Sequence, residues 1–185
     1  MSTSITGRRT MKAALIYGSC TGNTGCVAEL MIEKLKPEVE LETVDVSTLS
    51  AEDLKEYDFA LCGIPTWDIG ELEYGWQEIY DDLDGVDLST LTVAMFGLGD
   101  QGTYDETYQD AMGILYKKLI ECGATGGIGF TSTETHEFEG SLGVIDGMFC
   151  GLALDEDSQS ELTDERIAEW AESMKEAWPA IMASS

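Results

Sequence analysis

The fold is decided by one short stretch, 13-AALIYGSCTGNT-24, in which an apolar run ends in a loop of small polar residues. Residues 13–17 are too apolar for a strand with one face in water, so they predict a buried strand of a parallel sheet. Residues 24–35 follow with the periodicity of an amphipathic helix. A buried strand, a tight loop and a helix in this order predict the first unit of an α/β domain.

The rest of the chain repeats this alternation of apolar runs and amphipathic segments. It predicts further strands at residues 41–46, 59–63, 92–97 and 127–130, and helices at residues 75–83 and 107–121. A last helix is expected to begin with Thr163 as its N-cap and to bury Trp170 in the core. The pattern favours a three-layer, doubly wound fold with a five-stranded parallel sheet.

One segment breaks the alternation near the fifth strand. Residues 131–147 are polar and contain glycines, and a second strand-like run follows at residues 148–152. We interpret this segment as an insertion that interrupts the fifth strand.

Length and charge limit the classes of function. With 185 residues, 43% of them hydrophobic, the chain is expected to form one domain over residues 11–180, with a flexible extension at 1–10 and a tail at 181–185. A net charge of −26 opposes binding to nucleic acid or anionic membranes and favours partners with basic surfaces, although solubility alone would also account for it.

The five cysteines give no metal or cluster motif. They are widely spaced and include no C-x-x-C pair, so neither an iron–sulfur cluster nor a structural zinc site is expected. We interpret them as reduced thiols of a cytoplasmic protein.

The loop after the first strand has the composition of a phosphate site. Glycines allow tight turns that expose backbone N–H groups, and Ser19, Thr21, Asn23 and Thr24 add short polar side chains at a helix N-terminus. The absence of a nearby Lys excludes a P-loop, and the spacing is not G-x-G-x-x-G. From this loop alone, a phosphate site and a simple helix cap are about equally favoured.

Two later loops carry large aromatic residues in polar surroundings. The loop 65-PTWDIGEL-72 follows the third strand and 97-GLGDQGTY-104 follows the fourth. Aromatic residues at loop tips are poorly explained by core packing, whereas Trp67 and Tyr104 are suited to hold a flat heteroaromatic ligand between them.

These three loops resemble those of the flavodoxin family in order, spacing and residue type. The resemblance extends from about Lys12 to about Trp178, and the insertion in the fifth strand resembles the long-chain branch. It implies FMN as cofactor. The cofactor-binding residues that it implies are Ser19, Cys20, Thr21, Gly22, Asn23, Thr24, Pro65, Thr66, Trp67, Asp68, Ile69, Gly70, Leu98, Gly99, Asp100, Tyr104, Gln109 and Asp157.

The chain departs from the family pattern at three positions. Gly25 stands where relatives often have Glu, Thr107 where many have Asn, and Thr103 where Gly is common. These departures bear on how tightly the flavin is held and on its reduction potential. They bear less on whether FMN is the cofactor.

The resemblance implies a low-potential one-electron carrier, a ferredoxin substitute with an accumulating neutral semiquinone, and not an enzyme. The implied partners are redox proteins such as ferredoxin/flavodoxin–NADP reductase, photosystem I, pyruvate oxidoreductase or nitrogenase reductase. The carrier is expected to be monomeric and to bind neither nucleic acid nor membrane.

Other functions on the same fold are less favoured. An FMN-dependent NAD(P)H:quinone reductase would want basic residues near the flavin, where this chain is acidic. A receiver domain would want an acidic pair at Gly18 and Ser19, and a flavin-free module leaves the aromatic loops unexplained. His136, the single histidine, is expected at the surface and distant from the flavin, so hydrolytic catalysis has no candidate base.

Overall fold

A computed structural model describes residues 10–19 and 21–184. The predicted site residue Cys20 and most of the predicted N-terminal extension lie outside the described residues.

Ten strands occur in this described part of the chain. They are β1 (Ala13–Tyr17), β2 (Glu42–Asp45), β3 (Phe59–Trp67), β4 (Glu71–Leu72), β5 (Thr92–Leu98), β6 (Thr125–Ile128), β7 (Thr131–Ser132), β8 (Val144–Ile145), β9 (Met148–Phe149) and β10 (Leu152–Leu154).

The described residues also form four α-helices and three short 3-10 helices, two of which connect β2 to β3. The α-helices are α1 (Asn23–Leu35), α2 (Tyr74–Asp82), α3 (Asp110–Glu121) and α4 (Thr163–Ser184). The 3-10 helices span Val46–Thr48, Ala51–Glu56 and Ser160–Leu162.

The main sheet has the strand order β10-β5-β3-β1-β2, with every neighbouring pair parallel. Strand β1 lies inside the sheet and pairs with both β2 and β3. The chain therefore runs outward from β1 in one direction and then returns to build the other half. This order confirms the predicted doubly wound fold with five parallel strand positions.

The fifth strand position is shared by two separate segments. Strand β6 pairs with the beginning of β5, where Thr125 is opposite Thr92, whereas β10 pairs with its end, where Leu154 is opposite Leu98. The intervening residues form a small antiparallel sheet in the order β7-β9-β8. The predicted interruption of the fifth strand is thus confirmed, and the insertion is itself folded.

Two hydrophobic cores cover the two faces of the sheet. On one face, Leu15 of β1 packs in a cluster with Met31 of α1 and Trp170 of α4. On the other face, Ile16 packs in a cluster with Trp76 of α2 and Met112 of α3. Successive strand residues point to opposite faces, so this arrangement confirms the three layers and the core position of Trp170.

The C-terminal end differs in detail from the prediction. Thr163 is the first residue of α4 rather than its N-cap, because a 3-10 helix ends directly before it, and its hydroxyl donates to the carboxylate of Glu156. The helix continues to Ser184 with Ile181 buried, so the residues expected to form a tail up to that point are helical. No helix of the described residues has the length and apolarity to cross a membrane.

Candidate functional site

A cavity of about 310 Å³ lies at the carboxyl ends of β1, β3 and β5. Loops that follow neighbouring parallel strands meet at this edge of the sheet, which is where doubly wound folds bind ligands. The lining residues come from all three expected loops and from the segment after β10; they are Thr21, Asn23, Thr24, Pro65, Thr66, Trp67, Asp68, Leu98, Gly99, Asp100, Tyr104, Thr107, Tyr108, Glu156 and Asp157.

The first loop leads directly into the N-terminus of α1. Gly22 is the N-cap residue, with a φ of 92° that favours glycine, and its N–H donates to Ser19 Oγ at 3.1 Å. No side chain of the described residues caps α1, and its first turn contains no acidic residue. The helix therefore presents backbone N–H groups and its positive dipole end without a protein anion to satisfy them.

A buried carboxylate lies directly beside this loop. Glu73 Oε2 accepts from Gly75 N at 3.0 Å and from Trp76 N at 3.3 Å, which caps α2. A Cβ atom at Gly18 would lie only 2.1 Å from the same oxygen. Gly18 is therefore required for the close approach of the first loop to the N-terminus of α2.

The second loop forms a hairpin between β3 and β4. Thr66 is opposite Leu72 and Trp67 opposite Glu71. The Trp67 ring lines the cavity and contacts the Tyr74 ring edge to face, with centroids 5.3 Å apart. Ile69, at the turn, is 78% exposed.

The third loop is closed by one carboxylate. Asp100 Oδ1 accepts from Gly102 N and Thr103 N at 3.0 Å and from Ser158 Oγ at 3.1 Å. Partial burial opposes ionisation of Asp100, but the hydrogen bonds from Thr103, Ser158 and Gly102 outweigh it and lower its pKa. Tyr104, which follows this turn, lines the cavity and is 43% exposed.

Asp155 joins the third loop to the end of β10. It is fully buried, and its carboxylate accepts from Gln101 N at 3.0 Å, Asp157 N at 3.0 Å and Ser158 N at 2.7 Å. Three backbone donors satisfy this buried carboxylate, and no Lys or Arg of the described residues forms a salt bridge with it. Sequence reasoning did not identify Asp155, because a carboxylate that organises loop backbone is indistinguishable in sequence from a solvated one.

The cavity wall is acidic. Its lining contains Asp68, Asp100, Glu156 and Asp157, and none of the described lining residues is Lys or Arg. The pKa of Asp157 is raised, first by its partial burial and then by the charges of Asp100 and Asp155. A ligand in this cavity would therefore experience an uncompensated negative field.

Most of the predicted site residues line this one cavity; these are Thr21, Asn23, Thr24, Pro65, Thr66, Trp67, Asp68, Leu98, Gly99, Asp100, Tyr104 and Asp157. Four predicted residues belong to the same loops without lining it, namely Ser19, Gly22, Ile69 and Gly70. Thr107, which the sequence marked as a departure from the family pattern, also lines the cavity, and sequence reasoning missed Tyr108 and Glu156. Tyr108 and Glu156 each precede a predicted site residue, and this position in the sequence was the only indication of their role.

Gln109, which was predicted to lie near the cofactor, does not line the cavity, and its side chain is fully buried next to the lining residue Tyr108. Its Nε2 donates to Leu154 O at 3.0 Å, and its Oε1 is buried without a hydrogen-bond partner among the described residues. Space for this amide exists because Gly97 has no side chain, since a Cβ atom there would lie 2.1 Å from Oε1. Gln109 therefore packs against the start of the third loop and bonds to the end of β10.

His136 is half-buried rather than at the surface, and it is not remote from the cavity. Its ring packs edge to face on Phe149 with centroids 5.1 Å apart, and a hydrogen bond of 3.0 Å joins its Nδ1 to the hydroxyl of Tyr108. Because Tyr108 lines the cavity, the insertion forms part of the support of the site. The proximity of the insertion to the third loop is a tertiary contact that no local sequence pattern encodes.

The comparisons with known proteins agree with this geometry. The family model Flavodoxin matches residues 15–170. The chain is 41% identical over 164 residues to a flavodoxin of Synechocystis, covering 89% of this chain and 96% of that protein. It is 44% identical over 165 residues to a flavodoxin of Trichodesmium erythraeum, with 89% and 96% covered.

The solved structures give the same result. The crystal structure of Fusobacterium nucleatum flavodoxin bound to flavin mononucleotide is similar with a TM-score of 0.82 and 27% identity, covering 90% of this chain and 98% of that one. An oxidised flavodoxin from Bacillus cereus has a TM-score of 0.66 and 26% identity, with 89% and 98% covered.

Proposed function

The chain belongs to the flavodoxin family, whose members are FMN-binding electron-transfer proteins, and we propose that it carries single electrons at low potential with FMN held in the cavity at the strand ends. It is an electron carrier and not an enzyme. The observation that supports the location of the cofactor is a single cavity that combines an uncapped helix N-terminus with two aromatic loops.

The residues of the first loop fit the phosphate of FMN. The N-terminus of α1 offers backbone N–H groups that no side chain of the described residues caps, and Thr21, Asn23 and Thr24 add side-chain donors on the cavity wall. We assign Ser19, Cys20 and Gly22 to this end of the cofactor, and the hydrogen bond from Gly22 N to Ser19 Oγ fixes the turn. Neutral donors bind the phosphate here without cancelling the negative field elsewhere in the cavity.

The other two loops fit the flavin ring. Trp67 and Tyr104 both line the cavity and supply flat apolar faces, and Pro65, Thr66 and Leu98 add apolar and polar contacts at its floor. Thr66 is itself held in place, since its Oγ1 accepts from Ala111 N at 3.3 Å. FMN supplies the one-electron chemistry when bound, while these residues orient the ring and exclude water from it.

The acidic wall would lower the reduction potential. Each one-electron reduction adds negative charge unless a proton follows, and the cavity presents Asp68, Asp100, Glu156 and Asp157. One carboxylate about 10 Å away, at an effective dielectric constant of about 20, disfavours an added charge by roughly 1.7 kcal/mol, or roughly 70 mV for one electron. Several such charges together make the reduced protein a strong donor.

The partners that this surface favours are redox proteins with basic docking faces. The net charge of −26 and the exposed acidic residues around the cavity favour electrostatic steering of a basic protein. A ferredoxin/flavodoxin–NADP reductase, photosystem I, a pyruvate oxidoreductase and a nitrogenase reductase are candidates of this kind. The free thiols Cys62 and Cys150 are compatible with the reducing cytoplasm.

Comparing FMN with riboflavin tests the assigned phosphate end. Thr24→Val removes a hydroxyl at the start of α1, and loss of a hydrogen bond to a charged group should weaken FMN binding about tenfold or more. Riboflavin lacks the phosphate, so its affinity should be unchanged. Thr43→Val on the exposed face of β2 is the matched control. Equal weakening of both flavins would contradict the assignment.

NADPH oxidation distinguishes the carrier from a quinone reductase on the same fold. The FMN-loaded protein alone should not oxidise NADPH. When a ferredoxin/flavodoxin–NADP reductase is added, NADPH should reduce the FMN-loaded protein rapidly. NADPH and quinone turnover by the isolated protein would contradict the carrier function.

A further inference from the structure

A second cavity, of about 280 Å³, lies between the insertion and α4, away from the three loops of the first. Phe130, Leu152, Ala153 and Trp170 supply its apolar walls. The other lining residues are Gly129, Thr131, Ser132, Thr135, His136, Arg166, Glu169 and Ser173. Its volume is slightly below the range of about 300–1,000 Å³ that is typical of small-molecule sites.

The guanidinium of Arg166 is the notable group on this wall. Its Nη2 donates to three neutral oxygens, namely Thr135 O at 3.1 Å, Thr135 Oγ1 at 3.3 Å and Gln159 Oε1 at 2.7 Å. Its Nη1 is buried and has no hydrogen-bond partner among the described residues. A buried guanidinium N–H without an acceptor costs free energy that an incoming anion would recover.

The absence of a carboxylate beside Arg166 is unusual in this acidic chain. Lysines elsewhere pair with acids, for example Lys34 with Asp164 at 3.0 Å and Lys175 with Glu172 at 2.9 Å. No carboxylate of the described residues lies within 4.0 Å of the Arg166 guanidinium. The Arg166 guanidinium therefore has no direct ion-pair partner in the described part of the chain, although Glu169 lines the same cavity.

The other lining groups determine which kind of anion would suit this cavity. The Trp170 indole is fixed because Nε1 donates to Gly129 O at 2.8 Å, which leaves the ring to wall the cavity. His136 adds no positive charge near neutral pH, because its pKa is about 4. Glu169 is the one carboxylate among the described lining residues, and it is exposed.

We propose that this second cavity binds a small monocarboxylate with a flat apolar body, in which the carboxylate is received by Arg166 and the body packs on Trp170 and Phe130. Because Nη2 already donates to protein oxygens, the carboxylate would accept from Nη1, and aromatic walls favour a flat apolar group. This site is separate from the FMN cavity and does not depend on the proposed electron-carrier function.

Benzoate is the probe that fits this description. FMN-saturated protein, whose first cavity is filled, is titrated with benzoate while the Trp170 indole N–H and the Gly129 amide are followed by NMR. Saturable shifts of both signals are expected. Benzyl alcohol has the same ring without the charge and should bind at least about tenfold more weakly. Equal binding of the two probes, or no shift at these groups, would overturn the proposal.

Three variants localise the binding. Arg166→Gln should weaken benzoate binding at least about tenfold, whereas Lys175→Gln, on the same helix but outside the cavity, should leave it unchanged. Ser173→Phe should block the cavity and abolish binding with Arg166 still present, since Ser173 lies exposed on the wall. Unchanged binding in folded Arg166→Gln or in Ser173→Phe would overturn the proposal.

Discussion

The hydroxyl of Tyr108 and Nδ1 of His136 lie 3.0 Å apart, and this hydrogen bond connects the walls of the two cavities. Phe138 and Phe149 pack on the Tyr108 ring with centroids 5.7 and 5.8 Å away. The insertion is therefore held against the third loop by an aromatic cluster with one polar contact at its centre.

Removing this polar contact should destabilise the folded protein. Tyr108→Phe keeps the ring but leaves Nδ1 of the half-buried His136 without its partner, which should lower the free energy of unfolding by about 1 kcal/mol. Urea unfolding followed by circular dichroism measures the change. Tyr74→Phe is the control, since Tyr74 is 71% exposed and should change stability by less than about 0.5 kcal/mol. Equal effects of the two variants would contradict a stabilising role for the contact.

The single histidine should titrate far below its ordinary range. Burial, and then the positive charge of Arg166, lower the pKa of His136 from 6.5 to about 4. Because the folded state disfavours the protonated ring, the stability that neutral His136 confers is complete above pH 6.5 and is lost as the pH falls toward 4. The imidazole Hε1 signal in NMR should have a midpoint near pH 4, and Arg166→Gln should raise it. A midpoint above pH 6 would show that the ring is solvated.

Neutralising one cavity carboxylate should make the protein a weaker reductant. Asp157→Asn removes a charge from the lining, so the potential of the more negative one-electron step should rise by tens of millivolts, up to roughly 70 mV. Potentiometry of the FMN-loaded variants measures it. Glu121→Gln, at the exposed C-terminal end of α3 and so at the opposite edge of the sheet, should leave the potential nearly unchanged. A shift of the same size in both variants would exclude a local field.

Electron transfer to a basic partner should be strongly dependent on salt. With a net charge of −26, the rate with a ferredoxin/flavodoxin–NADP reductase should fall several-fold between about 0.01 and 0.15 M ionic strength, as the screening length shortens from about 30 to 8 Å. Stopped-flow measurement of flavin reduction tests this. A rate independent of salt would exclude electrostatic steering.

The alternation of strands and helices was predictable because it depends on short-range patterns, and the position of the site follows from that alternation. Apolar runs such as Ala13–Tyr17 and Thr92–Leu98 mark buried strands, and the loops that follow must meet at one edge of a parallel sheet. The position of Trp67 and Tyr104 on one cavity follows from this topology.

Contacts between distant segments were not predictable in the same way. Asp155 accepts hydrogen bonds from Gln101 N and His136 pairs with Tyr108, each across a long separation in sequence. Gln109 turns into the core because Gly97 leaves room for it, a steric fact that only the packed structure reveals. Polar side chains of this kind carry no periodicity. The sequence therefore contains no pattern that distinguishes a residue that holds a loop in place from one that contacts a ligand.

The most direct test of the account is an anaerobic spectroelectrochemical titration of the FMN-loaded protein. An electron carrier with its ring between Trp67 and Tyr104 in an acidic cavity should accept two electrons in two separate one-electron steps. The one-electron-reduced flavin should accumulate between them, and the second step should lie well below the potential of free FMN. A single two-electron step at the potential of free FMN would contradict the account.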